Sequence, residues 1–222
     1  MAKRKKQDDF DDVIVDVVEA TGDGRSFLEK NGTMLFGGIA LLALLIGGYY
    51  AYKLFITEPK QKEAVEQMFQ AQFQFDRDSF KLALTNPGGG YPGFTDIVEQ
   101  YSGTPAGNLA NYYAAVSYLK LGDFDASQSY LKAFSPPDEL LAATKNGLMG
   151  DIAGEKGDLG SALSYYKKAA ATNLDVVAPY YLKKMGLLLT KQGKADDAAA
   201  AFQQIKTKYP NSAEGKNVDK YL

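Results

Sequence analysis

The sequence predicts an all-α protein: a single transmembrane helix followed by an α-solenoid of about four helix-turn-helix units. Three observations carry this. Residues 33–52 hold no charged side chain. A glycine-centred motif returns at Gly122, Gly157 and Gly193, 35 and 36 residues apart. The octets FTDIVEQY at 94–101 and FQQIKTKY at 202–209 share their apolar spacing at an offset of 108, three times 36.

The uncharged segment comes first. At 1.5 Å per residue it spans roughly 30 Å, the thickness of a bilayer's hydrocarbon core. Tyr49, Tyr50 and Tyr52 crowd one end, where amphipathic rings prefer the lipid–water interface. Lys53 follows and can snorkel to the headgroups. A cleaved signal peptide would need a short basic start, an apolar run of about 7–15 residues and a small-x-small site. Here 32 residues precede the segment and bulky YYAYKLF closes it, so residues 33–56 read as an anchor in lipid.

Orientation follows from the short flank. Lys3, Arg4, Lys5, Lys6, Arg25 and Lys30 lie in residues 1–32. The positive-inside rule then makes 1–32 a cytoplasmic charged tail and 57–222 an extracytoplasmic domain. The tail's VIVDVV at 13–18 reads as disordered chain or as a short element for a cytoplasmic partner. Ala43, Gly47 and Ala51 fall at i, i+4 and i+8, so one helix face is small enough for another helix to dock closely.

The repeats come next. KLGDFDAS at 120–127, EKGDLGSA at 155–162 and KQGKADDA at 191–198 place a glycine at each predicted helix–helix turn, where φ > 0 costs glycine nothing. Before them, Glu58-Pro59 is a helix start. Val65, Met68, Phe69, Gln72, Phe73, Phe80 and Leu84 trace a mostly apolar stripe, predicting one helix that NPGGGYPG at 86–93 stops. A partner helix is expected over 94–101. SAEGKNVDKYL at the end reads as a short polar capping helix.

The repeat residues resemble tetratricopeptide repeats. Ala115, Gly150 and Gly186 match the small residue of that family's first helix. Gly122-Asp123-Phe124 and Gly157-Asp158-Leu159 match its turn. Ala162, Tyr166 and Ala169 match its second helix, as do Ala198, Phe202 and Ile205 with one substitution; Ser127, Leu131 and Phe134 match poorly. Pro210 stands at the closing proline, while Asn111, Asn146 and Leu182 replace the large aromatic near the start of the first helix. Each pair has one apolar face it cannot bury alone, so stacking buries a shared core.

Composition removes several chemistries. There is no His and no Cys, so Ser-His-Asp and Cys-His catalysis and the usual zinc sites are excluded. Twenty-five Lys+Arg against 27 Asp+Glu give a net charge of −2, which offers no broad basic field for nucleic acid. The loop at 86–93 lacks a Gly-Lys-Ser/Thr ending and no strand precedes it, so it is no phosphate cradle. Asp123, Asp125, Asp151, Glu155, Asp158, Asp196 and Asp197 mostly fall at predicted helix starts or turns, where acids favour the helix dipole. No catalytic residue, cofactor, metal or small-molecule substrate is expected.

The resemblance implies that the first helix of each pair lines a concave face. By register that face holds Tyr112, Val116, Lys120, Asp151, Glu155, Tyr180, Lys183, Leu187 and Lys191. Tyrosine there can be core packing or an interface anchor. Its charge is mixed, and Arg77 is the only arginine after the anchor, so a clamp for C-terminal carboxylates is not expected.

The whole arrangement also resembles the ancillary SecYEG translocon subunit (YfgM-like) family. The similarity rests on Phe27-Leu28-Glu29-Lys30-Asn31-Gly32 before the span, on the span itself, on YSGTPAGNLANYYAA at 101–115 and on the repeats. It implies a bitopic bacterial inner-membrane protein with a periplasmic domain. Its implied partners are SecYEG-type subunits and a periplasmic chaperone or nascent chain, and its implied role is that of a non-enzymatic scaffold. A structural adaptor of another envelope complex (Tol-Pal, division or outer-membrane assembly type) has a similar soluble part, though such proteins commonly carry a cleaved or lipidated N-terminus.

Overall fold

The computed structural model describes residues 31, 33, 34 and 36–222; the expectations for the tail at 1–30 lie outside the described residues. The chain divides into two compact units, Met1–Glu58 and Pro59–Leu222. All regular structure among the described residues is helical, with no strand.

In the first unit, α1 covers residues 36–52 and passes into a π-helical stretch, Lys53–Thr57, closed by the Glu58 N–H donating to the Lys53 carbonyl. Such i→i+5 bulges are rare and local. α1 belongs to a helix that is long and apolar enough to cross a membrane. Its apolar side chains from Phe36 to Ile46 stand exposed. Ala43, Gly47 and Ala51 share one face, and a Cβ added at Gly47 meets nothing within 4 Å.

The second unit begins with α2 (Glu58–Asp76), α3 (Phe80–Thr85) and α4 (Phe94–Gln100). The single helix expected up to residue 85 is broken after Asp76. Asp78 adopts φ 56°, which Asp tolerates better than most residues. The Ser79 N–H donates to the Gln74 carbonyl at 2.9 Å and the Asp78 N–H to the Phe75 carbonyl at 3.0 Å, the bonding of a Schellman closure. The reversal lets Phe75 meet Phe80 edge-on, with ring centroids 5.5 Å apart.

The expected stripe is also rotated. Ala64, Met68 and Ala71 are buried, whereas Val65, Phe69 and Phe73 face outward at 50%, 64% and 43% exposure. Small residues at 64 and 71 let α2 approach the cluster of Phe94, Ile97, Ala106 and Ala110. Gln70 and Gln74 donate to the Pro87 carbonyl at 3.3 and 2.9 Å, which ties the glycine-rich loop to α2.

Three helix pairs follow: α5 (Pro105–Leu121) with α6 (Phe124–Ala133), α7 (Glu139–Glu155) with α8 (Leu159–Ala170), and α9 (Ala178–Lys191) with α10 (Ala195–Lys208). Gly122, Gly157 and Gly193 all take the left-handed conformation, at φ 81°, 81° and 73°. In the first two turns an aspartate starts the next helix. The Asp123 carboxylate accepts from the Ala126 N–H at 3.0 Å, and that of Asp158 from the Ser161 N–H at 2.9 Å. Each satisfies an amide that the first helical turn leaves unpaired. Lys194 holds the same place before α10 and makes no such bond.

Inside each pair a small residue faces a large one 16 positions on. A Cβ added to Gly150 would lie 2.6 Å from the Tyr166 ring, and one added to Gly186 would lie 2.6 Å from the Phe202 ring. Ala115 and Leu131 share one cluster in the first pair. Ser127, Leu131 and Phe134 fit the family pattern poorly as letters, yet all three are buried. The Ser127 hydroxyl donates to the Ala115 carbonyl at 2.7 Å, so a polar residue serves where the later repeats use alanine.

The apolar core is a row of clusters, each made by neighbouring helices, as in a solenoid. The expected capping helix is a 3₁₀ helix, Gly215–Tyr221. It covers the end with buried Val218 and with Tyr221 stacked on Phe202 at 4.9 Å.

Candidate functional site: a mixed groove on the first-helix face

A cavity of about 740 Å³ opens across the three pairs. Helix α5 contributes Val116, Leu119 and Lys120, and α7 contributes Leu148, Asp151, Gly154 and Glu155. Gly122, Phe124, Tyr166, Tyr180 and Lys184 complete the wall. The residues converge because the left-handed glycine turns return each second helix and leave the first helices to one side.

Asp151 organises the wall. Its carboxylate accepts from the Tyr166 hydroxyl at 2.6 Å and from Lys184 Nζ at 2.7 and 2.8 Å. Lys184 Nζ also lies 5.6 Å from the Tyr166 ring centroid and 5.1 Å from that of Tyr180, within range of the ring quadrupoles. One carboxylate thus fixes a tyrosine from α8 and a lysine from α9. Burial, then the hydrogen bond to Asp151, pushes the Tyr166 hydroxyl pKa well above its ordinary value. Burial, then the charge of Asp151, raises that of Tyr181. Both phenols are neutral around neutral pH; the Tyr166 hydroxyl donates to Asp151, and the Tyr166 and Tyr181 rings stack with centroids 6.5 Å apart.

Asp151 and Lys184 are ion-paired, so this part of the wall is a polar post beside aliphatic Val116, Leu119 and Leu148. Among the described residues no three carboxylates converge as a metal site would require. The arrangement suits reversible contact with a protein segment: aromatic and aliphatic surface interleaved with a few charges.

Five of the nine residues expected on the concave face line the cavity: Val116, Lys120, Asp151, Glu155 and Tyr180. Tyr112 lies outside the lining. It is half-buried between Tyr113 and Phe134, with centroids 5.8 and 5.5 Å away, and burial raises its hydroxyl pKa. Lys183, Leu187 and Lys191 form a neighbouring row on α9, because Tyr180 and Lys184, one turn apart, take the cavity side. Lys184 and Tyr166 are wall residues that the helix register alone did not select. The signal for Lys184 was its position four residues after Tyr180.

The model of the tetratricopeptide repeat-like domain family matches residues 25–220. No curated protein matches the chain.

Proposed function

The chain belongs to the tetratricopeptide repeat-like domain family, and from that premise we propose that it is a non-enzymatic, membrane-anchored adaptor of the Sec protein translocon. In this reading residues 1–32 lie in the cytoplasm, 33–56 cross the bacterial inner membrane and 57–222 stand in the periplasm. The groove holds a periplasmic chaperone or a stretch of emerging chain near the channel exit. The observation that carries it is the pairing of an apolar helix fit to cross a membrane with a repeat domain that opens a preformed, uncommitted groove.

Tethering supplies the mechanism. A groove held at the membrane meets its segment at a high effective concentration, so weak contacts suffice. The small face of Ala43, Gly47 and Ala51 is the surface for a translocon helix. The resemblance to the ancillary SecYEG subunit (YfgM-like) family supports the choice of complex.

The test is affinity purification of the full-length protein from mildly solubilised membranes, beside a version with an exchanged anchor. Enrichment of SecYEG-type subunits together with a periplasmic chaperone, lost on anchor exchange, is the expected result. Enrichment of a different envelope complex with no channel subunit would overturn the translocon assignment.

A further inference from the structure

Four charged residues line the groove: Lys120, Asp151, Glu155 and Lys184. Asp151 and Lys184 close on each other. Lys120 and Glu155 make no ion pair with any described residue. The rest of the α5–α7 side is apolar: Val116, Leu119, Phe124 and Leu148.

The two unpaired charges have different structural standing. Lys120 sits in the last turn of α5, where the helix dipole favours a cation. Glu155 is the last residue of α7, whose final turn contains no base, and there the dipole opposes an anion. The adjacent Lys156 makes its ion pair with Asp125 Oδ1, at 2.6 Å, and not with Glu155. The fold therefore keeps a carboxylate at the groove where it weakens its own helix.

We infer that Glu155 is a specificity residue that reads a basic side chain, so that the groove selects an extended segment carrying a base and an acid around an apolar residue. The base meets Glu155, the acid meets Lys120, and the apolar residue rests on Val116, Leu119 and Leu148. This rests on the reading of the cavity as a partner groove. A purely acidic segment would leave Glu155 facing like charge, and a purely basic one would do the same to Lys120. Net-neutral, amphipathic stretches are the complementary class.

The experiment uses full-length protein in detergent and fluorescent peptides with one Leu between one Lys and one Asp, at spacings of two to five residues. Matched peptides carry norleucine for Lys, or Lys for Asp. Replacing Lys by norleucine should weaken binding roughly two- to fivefold, the scale of a rim ion pair, in the native protein and not in Glu155→Gln. Glu155→Gln should at the same time raise the thermal midpoint by roughly 1–4 °C, because the dipole conflict is gone. Better stability with weaker binding is the signature of a residue kept for its partner. If Glu155→Gln binds the Lys peptide as the native protein does, or lowers the midpoint, the inference fails and the adaptor reading stands. If no peptide of the set binds, the groove reading itself fails.

Discussion

Gly150 of α7 and Tyr166 of α8 are packed backbone against ring, so closely that a methyl group on Gly150 would lie 2.6 Å from Cδ1 of the tyrosine. Real Cβ atoms do not approach aromatic carbons that closely, so the absent side chain is what allows the two helices to meet. The same ring carries the hydroxyl that donates to Asp151 at 2.6 Å. One contact therefore sets the helix spacing and positions the groove wall.

Three glycine substitutions separate packing from propensity. Gly150→Ala and Gly186→Ala should each destabilise the domain by about 1–3 kcal/mol, since overpacking against a buried ring outweighs the gain in helix propensity. At Gly154 an added Cβ meets only the Ala162 Cβ at 3.9 Å, ordinary van der Waals contact. Gly154→Ala should therefore stabilise by about 0.5–1 kcal/mol. Urea denaturation followed by circular dichroism reads all three.

The third repeat lacks the cap that the first two possess. Lys194 has φ −89° and ψ 68°, close to the −83° and 78° of Asp158. Lys194→Asp should place a carboxylate on the free amides of α10 and add about 1 kcal/mol. An unchanged denaturation midpoint would show that this turn does not present its amides as the other two do.

Stability should fall in alkali through the buried phenols. The Tyr166 and Tyr181 pKa values are raised above the ordinary 10.0, burial being the first cause for both. A raised folded-state value means that the unfolded chain loses its protons first. Their contribution is whole below pH 10 and is lost as pH rises from there through the folded values. Denaturation at stepped pH from 8 to 11 should give a steeper loss in the native protein than in Tyr166→Phe. Equal slopes would mean that the ring titrates as if exposed.

The apolar helix α1 offers a test that leaves the repeat domain untouched. Gly47→Leu with Ala43→Leu should preserve insertion, because both changes raise apolarity. They should block the close approach of a neighbouring helix. Loss of co-purifying membrane subunits at unchanged protein level is the expected outcome; unchanged recovery would assign association to the repeat domain alone.

Much of the fold was legible because the repeat is written in backbone-level signals. Gly122, Gly157 and Gly193 occupy a conformation that other residues disfavour, so their spacing marked the turns directly. Gly150 and Gly186 matched the small position of the first helix, and Tyr166 and Phe202 matched the second helix; the structure pairs them across each turn. The first unit was harder. Its apolar residues Val65, Phe69 and Phe73 follow helical spacing, yet the buried face belongs to Ala64, Met68 and Ala71. Composition favours the larger side chains, whereas close approach favours the smaller ones.

Local sequence dictates an apolar segment long enough to span a bilayer, the helix-pair period and the turn positions. All of these depend on residues near one another in the chain. Only the tertiary structure decided that α2 ends at Asp76, that α9 turns Tyr180 and Lys184 toward the cavity, and that Asp151 takes Lys184, 33 residues away, as its partner. The last two outcomes depend on how far a helix rotates about its axis when it packs on a neighbour. That rotation is set by the summed contacts of both helices, which no single stretch of sequence contains.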